Sequence, residues 1–478
     1  MTAPAPALRL GTAAGRGTLL AAILASGMVF LDSTVVNVAL PRLGAELDAT
    51  VAGLQWTVNG YLLMLAAFVL LGGALGDRFG RRRVFLVGVV WFAVASMLCG
   101  LAQGTGWLIA ARFLQGAGGA LLTPGSLSVL QASFDPDDRA RAIGTWSGLS
   151  GVSTALGPLL GGWLIDALSW RWIFFVNLPL AVGVVLAALR WVPESCDEAV
   201  SRTGAGRRFD VAGALLGALA LGGVTYALID APARGAGSPA VLAAAVVGVL
   251  GAVVFVLVER RRGDTAMLPT GLFGSRLFSV LNIFTVIVYA ALGGFTFFLA
   301  VYLQNVVGWS ALLTGLATVP MTLLLLVGSA RAGALAARIG PRLPLTVGPV
   351  VAAAGLLLLR RVGPGASYWV DVLPGVLLFG AGLTLVVAPL TASVLAAVAD
   401  RFAGVASGFN NAAARAGGLL AVAALPLLVG LSGSGYEQKT ALAAAFRGAL
   451  LWCAGLLLVG AVLAGLLIHR PRQPQARR

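Results

Sequence analysis

The chain has 478 residues, of which 59% are hydrophobic and only 11% charged. A water-soluble domain is about 45–50% apolar and about 25% charged, so a soluble globular protein is excluded. The 33 basic and 18 acidic residues leave a net charge of +15. Nearly all of the basic residues are Arg, set in short runs between apolar stretches, a pattern that orients a membrane protein and does not point to nucleic acid as a partner. Cys99, Cys196 and Cys453 are too far apart in sequence for a disulfide framework or a metal site, and the single histidine is His469. Metal-based and His-based catalysis are therefore not expected.

A membrane span needs roughly 20 mainly apolar residues. Such spans are predicted over 18–41, 54–75, 84–103, 107–131, 141–165, 172–192, 210–230, 239–258, 277–302, 312–336, 343–360, 371–397, 403–431 and 445–468. The first run contains Asp32 and is followed by many like it, so it reads as a retained helix and not as a cleaved signal. With the N-terminus cytoplasmic, most basic residues fall on the inner side. They include Arg9, Arg16, Arg78, Arg81, Arg82, Arg83, Arg139, Arg141, Arg202, Arg207, Arg208, Arg260, Arg261, Arg262, Arg338, Arg342 and Arg401, and the tail's Arg470, Arg472, Arg477 and Arg478. This satisfies the positive-inside rule, and an odd number of spans would put the Arg-rich tail outside. Short loops leave no room for a soluble catalytic domain.

The stretch Gly73 to Arg82 and the stretch Gly333 to Arg342 agree at six of ten positions, at an offset of 260. Each joins the second and third spans of a six-span block, as in the duplicated bundles of many secondary transporters. The predicted organisation is a cytoplasmic tail (1–17), a six-helix bundle (18–192), a linker with two extra helices (193–276), a second six-helix bundle (277–468) and a cytoplasmic tail (469–478). The fold class is an all-α integral membrane protein with 14 transmembrane helices.

An ionisable group at membrane depth is costly and marks a functional candidate. Asp32 is the only acid well inside a predicted span, about 21 Å along its helix at 1.5 Å per residue. Arg112 sits roughly 7–8 Å below the outer surface, so the two share the outer half of the membrane. Desolvation and a neighbouring Arg push a carboxylate's protonation in opposite directions, which suits proton coupling. The loop residues Gly73, Asp77, Arg78, Gly80, Arg81 and Arg82 suggest a conformational latch with Asp77 as the acceptor. Gly157, Pro158, Gly161 and Gly162 predict a closely packed, kinked helix. Candidate cavity residues are Asn37, Gln55, Trp56, Tyr61, Trp146, Phe284, Tyr289, Phe295, Asn410 and Asn411, with Asn59, Asn282, Phe298, Gln304 and Asn305 beside them. Arg415, inside the thirteenth span, either meets an anionic substrate or pairs structurally.

These residues resemble the major facilitator superfamily, specifically its fourteen-span drug:proton antiporter branch of the EmrB/QacA type, over essentially the whole chain. The carriers of the resemblance are Leu31-Asp32 through Asn37 to Pro41, Gly73 to Arg82, Arg112-Phe-Leu-Gln115-Gly116, Gly157-Pro158-Leu-Leu-Gly161-Gly162, and Trp170-Arg171-Trp172 through Asn177 to Pro179. Departures are Ser153 where the branch usually has Gly, and Ala414-Arg415 where it often places Arg one residue earlier. The resemblance implies proton-coupled export of small amphipathic drugs or antibiotics by alternating access, with export of an endogenous metabolite, amino acid, peptide or lipid-like compound as the alternative. It implies no enzyme activity and no cofactor, the proton gradient being the drive. The implied partners are a small-molecule substrate, protons and the lipid bilayer, without nucleic acid, for a protein working as a monomer in the cytoplasmic membrane.

Overall fold

The computed structural model describes residues 8–196, 210–263, 268–399 and 402–468. His469, the C-terminal tail's arginines, Arg202, Arg207, Arg208 and Arg401 lie outside the described residues. The chain forms fourteen long helices: α1 (Ala13–Leu47), α2 (Val51–Phe79), α3 (Arg81–Gly100), α4 (Thr105–Ser133), α5 (Pro136–Ala167), α6 (Trp172–Trp191), α7 (Val211–Arg234), α8 (Pro239–Arg262), α9 (Arg276–Val307), α10 (Ala311–Ile339), α11 (Arg342–Leu359), α12 (Tyr368–Ala396), α13 (Ala403–Leu428) and α14 (Lys439–Leu467). Six of them (α1, α2, α4, α5, α9 and α10) run beyond the predicted spans at both ends and the others shift by a few residues at one end or the other, because capping as well as hydropathy sets where a helix stops. Thr12, Thr50, Asp135, Ser238, Ser275 and Ser310 each accept a hydrogen bond from a first-turn backbone N–H.

Among the described residues, thirteen of these helices are long and apolar enough to cross a membrane. The other is α4, which is 29 residues long but diluted by Arg112, Gln115 and several glycines and hydroxyls. Its buried face packs on α2 and α3, so it needs less apolar surface than a lipid-facing helix.

Helices α1–α6 pack with one another, and α9–α14 do the same; α7 and α8 pair as a hairpin between the two groups. The repeat seen in the sequence recurs in the backbone. α2 and α10 both stop at a glycine with positive φ, +104° at Gly80 and +89° at Gly340, a conformation that favours Gly. The end of the molecule holding these turns is called here the basic end.

Contact between the halves is concentrated at the opposite end. There Val51 N donates to Gly433 O, Gln55 Nε2 to Val422 O (2.7 Å) and Ala423 O (3.0 Å), Gln304 Nε2 to Val38 O, and Tyr436 Oη to Ala49 O. Burial pushes the Tyr436 phenol up to about 12, so it stays a hydrogen-bond donor at neutral pH. Asp166, at the end of α5, accepts from the backbone N–H groups of Ala311 and Leu312 and so caps α10 across the interface. Toward the basic end α5 emerges from its neighbours, and Gly144, Thr145, Gly148 and Leu149 are exposed. The molecule is closed at one end and parted at the other.

The α5/α10 crossing has no spare room. A Cβ on Gly162 would lie 2.5 Å from Ala311 O, whereas one on Gly148 of the same helix meets nothing within 4 Å. Gly162→Ala is therefore expected to cost about 1–3 kcal/mol by overpacking, read as a lower melting temperature of the solubilised protein. Gly148→Ala should be neutral or stabilise by up to about 1 kcal/mol. Equal melting temperatures for the two variants would contradict this packing.

Candidate functional site: a buried ion pair among the first six helices

Asp32 and Arg112 meet in the interior, with Arg112 Nη1 2.6 Å from Asp32 Oδ2 and almost no exposed surface on either side chain. Ions taken out of water are tolerated only when their remaining donors and acceptors are also met. Gln115, one turn beyond Arg112 on α4, supplies that: its Nε2 donates to Asp32 Oδ1 (2.8 Å) while its Oε1 accepts from Arg112 Nη1 (2.6 Å). Arg112 Nε donates to Thr57 O at 3.0 Å. The guanidinium also lies over the Tyr61 ring, 4.3 Å from its centroid, and near the Phe174 ring at 5.8 Å. Further hydrogen bonds run from Gln115 Nε2 to Ser96 Oγ, from Asn177 Nδ2 to Ser96 Oγ, and from Ser96 Oγ to Phe174 O. One network thus joins α1, α2, α3, α4 and α6.

Helix α4 comes close enough to build this network because of its glycines. A Cβ at Gly116 would lie 2.4 Å from Tyr61 O, and one at Gly118 would lie 2.8 Å from Phe92 N. α5 joins α1 in the same manner directly beside Asp32. Gly157 faces Thr34 and Leu31 O, and Gly161 faces Val35. On its other side Pro158 O approaches Gly315 of α10, and Gly162 approaches Ala311 and Leu312. The four small residues singled out in the sequence therefore place α5 between the acid-bearing helix and the second half.

In the basic-end loop, Asp77 accepts from Arg81 Nε (3.0 Å) and pairs with its Nη2 (2.9 Å). Gly73 faces Pro124 of α4, and the Arg78 guanidinium lies 5.7 Å from the Phe79 ring centroid. The neighbouring chain segment is reached by a different carboxylate: Glu194, just after α6, accepts from Arg82 N (3.1 Å) and faces Arg83. Ser195 O accepts from Arg81 N, Arg82 Nη2 donates to Leu189 O, and Gly80 leaves the room that Glu194 occupies. All of these ties are within the first half.

The cavity candidates separate. Tyr61 belongs to the ion-pair site. Gln55 bridges the halves, Trp56 packs on Phe113 and on Tyr226 of α7, and Trp146 donates to Ser26 Oγ. Phe284 and Phe295 are fully buried, the latter against Phe379. Asn37 bonds back to Ser33 O of its own helix, and Asn410 bonds Asn282 and Thr285 of α9. Asn411 is exposed and accepts from Arg415 Nε at 2.8 Å, and Tyr289 is half-buried. Gln115, Ser96, Asn177, Thr57, Asp166 and Glu194 were not singled out as site residues from the sequence. Of these, only the short spacing of Gln115 from Arg112 on one helix offered a signal.

Comparison with known proteins agrees with this architecture. Residues 22–422 match the family model described as Major Facilitator Superfamily. The puromycin resistance protein pur8 of Streptomyces alboniger is 37% identical over 463 residues, covering 94% of this chain and 90% of that protein. The tetracenomycin C resistance and export protein of Streptomyces glaucescens is 37% identical over 412 residues, 86% of this chain and 75% of that protein. The cephamycin export protein CmcT of Amycolatopsis lactamdurans is 33% identical over 458 residues, 95% and 93%. Among solved structures, an auto-inhibited POT family peptide transporter shares the fold at TM-score 0.66 with 17% identity, covering 96% of this chain and 98% of that one. A bacterial homologue of the human lysosomal transporter Spinster, inward-facing and unoccupied, does so at TM-score 0.63 with 17% identity, covering 96% and 97%. With a family model spanning most of its length and relatives above 30% identity along nearly all of it, the chain belongs to the Major Facilitator Superfamily.

Proposed function

We propose that this protein exports small amphipathic drugs or antibiotics across the bacterial cytoplasmic membrane in exchange for protons, by alternating access. The cargo class is supported by relatives named for resistance to, or export of, puromycin, tetracenomycin C and cephamycin. The observation that carries the coupling is the isolated Asp32–Arg112 pair with its Gln115 bridge. The positive-inside rule assigns the basic end to the cytoplasm, which makes the conformation described above inward-open.

The pair is an electrostatic switch built from one acid. A proton on Asp32 removes the negative charge that Arg112 faces, leaving the guanidinium with Gln115 Oε1 and Thr57 O. α1 is then held less tightly to α4. Two and three residues beyond Asp32, Thr34 and Val35 press on Gly157 and Gly161 of α5, and α5 presses on α10 across the interface. A change at the acid thus reaches the contact between the halves through two helix crossings. The Asp77 loop with its Glu194 ties keeps the basic end of the first half together as a unit while the halves part.

In inverted vesicles, Asp32→Asn is expected to lower proton-driven export to the level of empty vesicles with expression and membrane insertion unchanged; normal gradient-dependent efflux would defeat the assignment. Arg112→Leu should destabilise the solubilised protein by about 3–5 kcal/mol, because it leaves a buried carboxylate without its cation. Adding Asp32→Asn to it should restore most of the melting temperature. A double variant that stays as unstable as Arg112→Leu would assign the loss to the Tyr61 stack. The cargo itself is found by a susceptibility panel on a sensitive host expressing this chain, and protection against no compound would count against drug export.

A further inference from the structure

A second guanidinium lies deep in the molecule, away from the helix ends. Arg415 is twelve residues into α13, about 18 Å from its start at 1.5 Å per residue. Its Nε donates to Asn411 Oδ1, and among the described residues it makes no ion pair and no other side-chain hydrogen bond. It is nevertheless only part-buried, and it lies on the stripe of Gly408 and Val422 that α13 turns to α2 of the first half. A membrane-embedded cation is usually neutralised by a partner or turned to a water-filled cavity. Arg415 keeps part of its surface accessible and, among the described residues, has no acid paired with it.

Its neighbours can be placed by register. Gln55 of α2 lies opposite Val422 and Ala423 of α13, and Leu70 lies against Gly408. These two contacts set Arg415 level with Leu62 and Leu63, between α2 and α9. The Tyr61 and Tyr289 side chains are within electrostatic reach, and both are neutral at physiological pH. About one turn toward the closed end, Asn59 lies on the same α13-facing stripe of α2. It is fully buried, and neither amide atom has a partner. Asn410 is already engaged with α9, and the charge of Asp32 is taken by Arg112. The surroundings of Arg415 therefore offer hydrogen-bonding groups and aromatic surface but no negative charge.

We propose that Arg415 is the recognition point for an acidic group on the cargo, a carboxylate or an ionised phenol or enol carried by an otherwise apolar molecule. Its terminal nitrogens present the flat pair of donors that suits two oxygens at once, with Asn411 fixing Nε and the part-buried Tyr289 beside the apolar body. The transport meaning of this site rests on the export reading above; its binding preference does not.

Two dyes with one xanthene core and opposite charge, fluorescein and rhodamine 123, separate the possibilities. For the full-length solubilised protein, fluorescence polarisation should show fluorescein bound about tenfold or more tightly than rhodamine 123, the scale of one charge-assisted hydrogen bond. Arg415→Gln should erase that preference, and Arg415→Lys should keep part of it. Equal binding of the dyes by the unmodified protein would overturn the proposal. So would an Arg415→Gln variant that binds fluorescein undiminished, or folded Gln and Lys variants that lose both dyes alike. In inverted vesicles, gradient-driven fluorescein uptake that Asp32→Asn abolishes joins the site to export. A retained anion preference without such uptake leaves the site standing and counts against the export reading.

Discussion

A carboxylate and a guanidinium 2.6 Å apart and shut away from water set the requirements for the first six helices. Removing both ions from water costs several kcal/mol each, and their attraction offsets this only when every remaining polar atom near them is met. That demand explains features that look unrelated in sequence. Gln115 must be an amide, because it donates to one partner and accepts from the other. α4 must be glycine-rich, because its backbone has to come close enough for Arg112 to reach α1 and lie over Tyr61. Ser96 and Asn177 then anchor the amide from behind. The low hydropathy of α4 follows from the same demand.

The closed end has a different energetic character. Its ties are hydrogen bonds to backbone carbonyls, most of them from side chains, with one carboxylate capping a helix. Each is worth about 0.5–1.5 kcal/mol net once water is an alternative partner. One proton crossing roughly 150 mV supplies about 3.5 kcal/mol, the same scale as a few such bonds. An interface held this way is tight enough to favour one state and weak enough for a change of a few kcal/mol to tip it.

Much of the fold was legible from the chain because a bilayer forces apolar runs of a fixed length and leaves arginines between them. Asp32 and Arg112 stood out because charge at depth is rare. Gly80 and Gly340 showed the duplication because both helices end in a backbone shape that few other residues adopt. The amides did not sort themselves in the same way. Gln55, Asn59, Asn410 and Asn411 look alike in sequence, yet one bridges the halves, one is buried without a partner, one zips two helices and one holds an arginine. The partner of Gln55 or Asn410 depends on which helix lies opposite, and residues more than a hundred positions apart decide that. Asp166 and Glu194 escaped notice for the converse reason. An acid at a helix end reads as ordinary, and its importance lies in the helix or loop it reaches.

The hairpin α7–α8 breaks the symmetry of the two halves. α7 leans on α2 through Trp56 and Leu63 and also touches α13, so the pair straddles the seam where those helices meet. Among the described residues, the matching seam between α5 and α10 has no such helix pair over it. Most of α8 faces outward, with Val241, Gly248, Gly251 and Glu259 as its buried residues. A lipophilic molecule dissolved in the bilayer therefore meets a two-helix shield on one flank and two bare, glycine-seamed helices on the other. The flanks of a duplicated fold are thus unlike: the inserted pair thickens one seam and leaves the other at the two helices that form it.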